Sequence, residues 1–305
     1  MRRVILTIAI ALLAVLAARG ILAGSPHAPA AAAGAAVATG PSAGLATVAA
    51  PAARAGHRAR PRPAHGGDRK PAKVPSPDAM DHAREFARGR AGVVSLAVVD
   101  SEGKLRGMNE NRRYAAASVV KAMLLAAEVR RLKHAGEGID STTDSLLTAM
   151  ITRSDNGAAD AIYARVGDAG LFRVAKRAGM TRFTVAGHWG NAQITAADMA
   201  RLFGNLDHAL VREHREYAKG LLGSVIESQS WGIPEAAGRR WAVRFKGGWL
   251  PSHALVHQAA ELRERNGDRE LSIVVLTDDG PSFEYGVETV RGVAARLLRT
   301  SRAGA

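Results

Sequence analysis

The pattern of hydrophobic and polar positions divides the chain into three parts. Residues 1–23 hold a charged start and an apolar run, residues 24–77 have almost no large apolar side chain, and residues 78–302 show strand-like and helix-like periods. Only the third part has enough apolar positions to bury a core. We therefore predict a leader, a linker and one folded domain over these three ranges.

Within the folded part, strand-like segments lie near both ends and helix-like segments fill the middle. Apolar runs bounded by turn residues predict strands at residues 93–99, 105–109, 241–245, 254–260 and 270–277. Helical spacing and N-cap residues predict helices at residues 81–88, 118–129, 140–152, 158–166, 168–178, 195–203, 213–228 and 283–299. The pattern predicts an α/β (α+β) domain, in which an antiparallel sheet built from both termini is flanked by helices and carries an all-α subdomain.

The leader has the organisation of a secretory signal. Arg2 and Arg3 precede the apolar run from Val4 to Ala18, which Arg19 closes. A positive start with a short apolar core is typical of a signal peptide, and the run is short for a membrane span. We predict a signal peptide, with a retained N-terminal anchor as the alternative. In both cases the domain is expected to be extracytoplasmic, either secreted or anchored by this segment.

The linker is basic and compositionally biased toward Ala, Pro, Gly, Arg and His. The chain has a net charge of +14, and residues 1–80 hold ten Lys or Arg and two acidic residues. Such a segment predicts a disordered tether, and its charge leaves open a contact with the cell wall or an anionic membrane surface. No motif indicates nucleic-acid binding. The absence of cysteine excludes thiolate metal sites, and we predict no metal, no cofactor and a monomer.

The first segment with candidate chemistry is Ser118-Val-Val-Lys121, at the start of a helix that is apolar on almost every face. The two side chains lie one helical turn apart, so the hydroxyl and the amine are expected to touch. A serine needs a base to become a nucleophile, and burial can lower the pKa of a lysine enough for that role. Because Ser101-Glu-Gly-Lys104 is a second match within a predicted turn, this spacing alone is weak evidence.

Two further segments follow, Ser154-Asp155-Asn156 and Lys246-Gly247-Gly248. In this order the three segments resemble the signature of class A β-lactamases and penicillin-binding serine acyltransferases, which is Ser-x-x-Lys, Ser-Asp-Asn and Lys-Thr-Gly. The resemblance covers about residues 80–300. It implies a β-lactamase/transpeptidase-like fold, with the active site between an α/β part and an all-α part.

The resemblance implies four catalytic residues. Ser118 would attack the carbonyl and carry the acyl group, and Lys121 would accept its proton. Ser154 would relay a proton to the leaving nitrogen, and Lys246 would support that relay and attract a substrate carboxylate.

Four residues are implied to bind the substrate. Asn156 would hydrogen-bond the acylamide group, and Gly247 and Gly248 would line the strand beside it. The backbone N–H groups of Ser118 and Trp249 would form the oxyanion hole.

The sequence departs from the family pattern at two places that matter for turnover. Gly247 replaces the threonine of the third motif, so one hydroxyl is missing. Class A enzymes use a glutamate on an irregular loop for deacylation, whereas the corresponding loop, Met180 to Gln193, contains no acid. His188, or a water held by Asn191, is the candidate substitute.

Each segment also has a structural interpretation. Ser118 and Asp155 are types that cap helices, and Lys246-Gly247-Gly248 is compatible with a turn at a strand end.

We predict a secreted serine hydrolase that cleaves β-lactams or related D-alanyl amides through an acyl-serine. Its partner would be a small β-lactam or a peptidoglycan stem-peptide-like substrate. The alternatives are a penicillin-binding protein or D,D-peptidase with slow deacylation, and a non-catalytic domain that binds the cell wall.

Overall fold

A computed structural model of the chain describes residues 74–250 and 254–299. The predicted leader, and the predicted linker up to residue 73, lie outside the described residues. Within the described ranges, no helix is both long enough and apolar enough to cross a membrane.

The strands form one large antiparallel sheet and one short ribbon. The strands of the described residues are β1 (Val93–Val99), β2 (Leu105–Met108), β3 (Tyr114–Ala115), β4 (Gln193–Ile194), β5 (Trp241–Leu250), β6 (Leu255–Glu264) and β7 (Glu270–Asp278). The sheet has the order β2-β1-β7-β6-β5, and β3 pairs with β4 in the ribbon. Strands from both ends of the domain therefore share one sheet, which confirms the predicted fold class.

Helices cover the sheet and fill the middle of the domain. In the described residues they are α1 (Pro77–Arg88), α2 (Lys121–Ala135), α3 (Ser141–Thr152), α4 (Asn156–Arg177), α5 (Ala196–Phe203), α6 (Leu206–Ala209), α7 (Arg215–Leu222), α8 (Ile233–Ala237) and α9 (Phe283–Leu297). The predicted all-α part corresponds to the run from α2 to α7. Two 3₁₀ turns, Ala117–Val120 and Trp189–Asn191, contain Ser118 and Trp189, respectively.

The two faces of the sheet pack against different layers because strand side chains alternate. Leu96 and Val98 point into a core that they share with residues of α1 and α9. Ala97 and Val99 point into a second core that they share with residues of α2 and α5. The sheet therefore lies between a terminal-helix layer and the all-α part, with β5 as its edge strand on the side of the candidate site.

Three predicted helices differ from the structure. The two helices predicted over 158–166 and 168–178 form one element, α4, which bends at Gly167 (φ 57°, ψ −174°). The helix predicted over 213–228 is shorter, because α7 ends at Gly223, whose N–H donates to carbonyl groups of the last turn.

The interpretation of Lys246-Gly247-Gly248 as a turn at a strand end is wrong. The strand predicted over 241–245 continues to Leu250. Gly247 is paired with Gln258 and Gly248 with His257 in β6. Pairing along a whole neighbouring strand thus outweighs the low strand propensity of two glycines.

Candidate active site

Ser118 lies in the 3₁₀ turn that leads into α2. The segment before it is held at two points: Ala116 N donates to Ala192 O at 2.8 Å, and His257 Nε2 contacts Ala115 O at 3.2 Å. The residue preceding Ser118, Ala117, has a left-handed φ of 45°. Ser118 is half-buried, and its hydroxyl makes no hydrogen bond with any residue the structure describes. The hydroxyl is therefore free to face a ligand.

The edge strand approaches Ser118 more closely than a side chain on that strand would allow. A Cβ atom placed on Gly248 would lie 2.7 Å from Ser118 N and 2.8 Å from Val119 N. Contacts of that length require the backbone to move, so glycine is needed here for close approach. Gly247 is different, because a Cβ there would lie at an ordinary 3.5 Å from the Trp231 ring.

Lys121 is fully buried and its ammonium turns toward the second segment. Its Nζ donates to Ser154 O at 2.6 Å and Asn156 Oδ1 at 2.7 Å, and more weakly to Ser154 Oγ at 3.4 Å. Burial lowers the pKa of Lys121 to about 8, against the opposing charges of Asp155 and Asp160. The expected hydrogen bond between Lys121 and Ser118 is not made, because these donors are satisfied by the turn before α4.

Lys246 is the second fully buried lysine, and it reaches the same hydroxyl. Its Nζ donates to Ser154 Oγ at 3.0 Å and to Gly247 O at 3.0 Å. Burial lowers the pKa of Lys246 to about 7, and the charge of Lys121 lowers it further in the same direction. A desolvated amine of this kind is partly neutral near pH 7 and can accept or pass a proton.

Ser154, Asp155 and Asn156 form the turn into α4. Ser154 has a left-handed φ of 61°, and Asp155 caps the helix by accepting from Ala158 N at 2.7 Å. The backbone therefore presents Ser154 and Asn156 to the lysines while Asp155 has a structural role. The turn brings the second segment against Lys121 of the first.

Trp249 lies at the end of β5 and is half-buried. It packs edge-to-face against Trp231 and Phe283, with ring centroids 6.2 and 6.1 Å apart. This aromatic group borders the strand next to Gly247.

The acid-free loop is held from outside by three aspartates. Asp168 Oδ2 accepts from Gly187 N at 2.9 Å. Asp198 accepts from the backbone N–H groups of Thr181 and Arg182 at 2.8 and 3.0 Å. Asp160, one turn beyond Asn156 in α4, holds the other end of the loop through contacts with His188 and Trp189.

His188 does not offer a free ring nitrogen. Its Nε2 is 3.0 Å from Asp160 Oδ1, and its Nδ1 accepts from Gly190 N at 3.0 Å. The same Asp160 oxygen accepts from Trp189 Nε1 at 2.6 Å. Asn191 is also engaged, since its side-chain amide donates to Ala186 O at 2.9 Å. These side chains brace the loop, and neither is poised as a base.

Three residues near the site have no motif in the sequence: Asp160, Trp189 and His257. Each acts through a contact that joins distant parts of the chain, so local spacing gave no signal for them. In the described part of the chain, no group of three His, Asp or Glu residues could hold a metal ion.

More than half of the chain matches the model of a known protein family. The model of the beta-lactamase enzyme family matches residues 130–300, a range that holds the second and third segments and begins after Ser118 and Lys121. The chain belongs to the beta-lactamase enzyme family. No curated protein matches the chain.

Several solved structures have a fold similar to that of this chain. A β-lactamase from Sphaerobacter thermophilus DSM 20745 is 20% identical over 72% of this chain and 95% of its own, with a TM-score of 0.63. An ancestral class A β-lactamase is 20% identical over 72% of this chain and 98% of its own, also at 0.63. The protein PBP-A is 17% identical over 74% of this chain and 97% of its own, at 0.62. These likenesses establish the fold.

Proposed function

We propose that this protein is an exported serine hydrolase that opens β-lactams or related D-alanyl amides through an acyl ester on Ser118. The observation that carries the proposal is the convergence of two fully buried lysines, Lys121 and Lys246, on the hydroxyl of Ser154. Two desolvated amines around one hydroxyl form a proton-relay arrangement. Gly248 lets the edge strand lie against the backbone of Ser118 beside that relay.

The acylation step uses these groups in sequence. Ser118 Oγ attacks the carbonyl carbon, and its proton passes to the neutral form of Lys121. Lys121 reaches the hydroxyl through a small rotation of its side chain, since catalytic hydrogen bonds often tighten only when the substrate binds. The substrate C–N bond then breaks, and Ser154, supported by Lys246, delivers a proton to the leaving nitrogen.

The remaining contacts hold the substrate. The backbone N–H groups of Ser118 and Trp249 receive the negative oxygen of the tetrahedral intermediate. Asn156 contacts the acylamide group, and the ammonium of Lys246 attracts the carboxylate of a β-lactam or a stem peptide. Gly247 contributes backbone only, so recognition of the carboxylate depends on Lys246 more than in relatives that carry a hydroxyl at this position.

A labelled penicillin tests the proposal directly. The purified protein is mixed with fluorescent penicillin, and the intact mass is taken at several times. One covalent adduct is expected in the parent and none in Ser118→Ala. An adduct that persists in Ser118→Ala, or a parent with neither adduct nor turnover, would refute acylation. Unchanged cell-wall binding in such a parent and in Ser118→Ala would instead favour a wall-binding domain.

A slowly deacylating penicillin-binding protein or D,D-peptidase is the second candidate. It is favoured by the absence of an acid in the loop from Met180 to Gln193 and by the engagement of both ring nitrogens of His188. The lifetime of the adduct separates the two candidates. Rapid turnover of nitrocefin supports the hydrolase, and an adduct that survives for hours supports the acyl-enzyme former.

A further inference from the structure

Trp189 lies in the acid-free loop from Met180 to Gln193, shortly before β4. The residue is 8% exposed, and its ring centre is 4.9 Å from Lys121 Nζ. Its indole N–H donates to Asp160 Oδ1 at 2.6 Å. The ring is thus fixed at one end by a charge-assisted hydrogen bond and lies over the ammonium with its face, as in a cation–π pair.

The surroundings of Lys121 leave water no place on its ammonium. Two short hydrogen bonds go to Ser154 O and Asn156 Oδ1, and a longer one goes to Ser154 Oγ. The aromatic face of Trp189 adjoins the ammonium as well, and Lys121 is 0% exposed. These groups therefore shield the amine from solvent, and the Ser154 hydroxyl is the one group among these contacts that can also donate a proton.

Hydrolysis of an acyl-serine needs a water at this point. The water oxygen bonds to the ester carbonyl carbon, the bond from that carbon to Ser118 Oγ breaks, and one water proton returns to Ser118 Oγ through a nearby base. Class A relatives use a loop glutamate and a held water for this step. The loop here has an indole facing Lys121 and no carboxylate of its own.

We propose that Trp189 is a water-excluding cover over Lys121, so that an acyl group on Ser118 forms readily and is hydrolysed slowly. This inference rests on the acylation of Ser118 proposed above. Trp189 is a positioning residue, since it acts through Lys121 and not on the substrate. Asp160 is the anchor of the cover, because it holds the indole N–H from α4.

Substitutions separate the ring from its anchor. Trp189→Ala removes the cover, Trp189→Phe keeps an aromatic face without the indole N–H, and Asp160→Ala removes the anchor while leaving the ring. If Trp189→Ala does not fold, as judged by circular dichroism, Asp160→Ala still tests the cover. The full chain is used throughout.

The experiment measures two rates with fluorescent penicillin: formation of the adduct and its loss after excess label is removed. In Trp189→Ala the adduct half-life is expected to fall by about tenfold or more, because admitted water gains access to a neighbouring base. Trp189→Phe and Asp160→Ala should both fall between the parent and Trp189→Ala, because each keeps an aromatic ring and loses the hydrogen bond that anchors it. Adduct formation should change less than adduct loss in all three, a split that a general loss of structure would not produce.

Three results would overturn the inference. Equal half-lives in the parent and Trp189→Ala would show that the indole excludes no catalytic water. Rapid loss of the adduct in the parent would show that water reaches the acyl-serine although the indole is present. A parent that forms no adduct would refute the proposed acylation, and this inference with it, whereas the first two results leave acylation intact.

Discussion

Lys246 donates a 3.0 Å hydrogen bond to the hydroxyl of Ser154, although 92 positions separate the two residues. Lys246 comes from the middle of edge strand β5, and Ser154 comes from the strained turn before α4. The bond therefore fixes the sheet against the all-α part at the position where the candidate chemistry lies. Lys121 meets the same hydroxyl at 3.4 Å, which makes Ser154 the junction between two buried amines.

Gly248 is expected to be required for the site, and Gly247 is not. In Gly248→Ala the new Cβ would lie within 2.8 Å of two backbone nitrogens, including Ser118 N. The strand must move, which should cost about 1–3 kcal/mol of stability and abolish labelling by penicillin. Urea unfolding and adduct mass measure the two effects.

Gly247→Ala is the matched control for that prediction. Its Cβ would meet the Trp231 ring at 3.5 Å, an ordinary contact. This variant should keep the stability of the parent and should still be labelled. Equal labelling of both alanine variants would show that close approach of β5 to Ser118 is not needed.

Acylation is expected to accelerate as the pH rises through about 7 to 8. Burial lowers the pKa of Lys246 to about 7 and the pKa of Lys121 to about 8, and only a neutral amine can take the proton of Ser118. The rate constant for labelling between pH 6 and pH 9 should show these inflections. In Lys121→Arg, whose side chain stays protonated, labelling should fall by about 10²-fold or more. A flat profile in the parent would exclude a lysine base.

Elements with a long apolar pattern lie where the sequence predicts them. Elements whose extent depends on contacts with distant parts of the chain differ from the prediction. The strand over 93–99 and the helices that begin near Ala196 and Phe283 lie where predicted. The second half of β5 was missed because Gly-Gly has turn-like propensity, and only the pairing with β6 makes it a strand. The helix predicted from 213 fails similarly, since Gly223 ends it early.

The sequence indicates the motif residues of the candidate site, but not the residues that hold them in position. Ser118, Ser154 and Lys246 stand in short motifs that can be recognised from the sequence. Trp189 and Asp160 meet through one hydrogen bond across 29 positions, and no spacing rule links them. The direction of the Lys121 side chain was also beyond the sequence, because it depends on which acceptors the turn before α4 presents.

Lys246→Met is expected to stabilise the protein at pH 6 while abolishing its chemistry. At that pH the parent buries an ammonium, whose desolvation costs several kcal/mol, and a methionine of similar size removes that cost. Burial lowers the pKa of Lys246 from its ordinary 10.5 to about 7. Between pH 7 and pH 10 the unfolded chain therefore holds more protons, and the parent gains stability as pH rises. The advantage of methionine should therefore shrink between pH 7 and pH 10.

Urea unfolding at pH 6, 8 and 10 measures this difference. Lys104→Met is the control, because Lys104 is the lysine of the other Ser-x-x-Lys match and is exposed. It should change stability little at any of these pH values. A Lys246→Met variant that is less stable than the parent at pH 6 would contradict the prediction.

His257 is expected to make the domain sensitive to acid. It is fully buried, its Nε2 contacts Ala115 O at 3.2 Å, and its Nδ1 accepts from Thr277 N at 3.2 Å. Burial lowers its pKa from 6.5 to about 4. Below pH 6.5 the unfolded chain binds the proton first, so stability is lost as pH falls from 6.5 to 4, by about 2–3 kcal/mol from this group.

His257→Gln should remove that part of the acid sensitivity, since glutamine does not titrate. Unfolding free energies of the parent and the variant, taken at pH 7, 5.5 and 4.5, should converge or cross as pH falls, because only the parent loses the contribution of the neutral imidazole. His134→Gln is the matched control, because His134 is exposed in the folded domain, and its curve should run parallel to that of the parent. Parallel curves for His257→Gln and the parent would show that the imidazole beside Ala115 does not set the acid limit of the fold, and that the segment carrying Ser118 is held by other contacts at low pH.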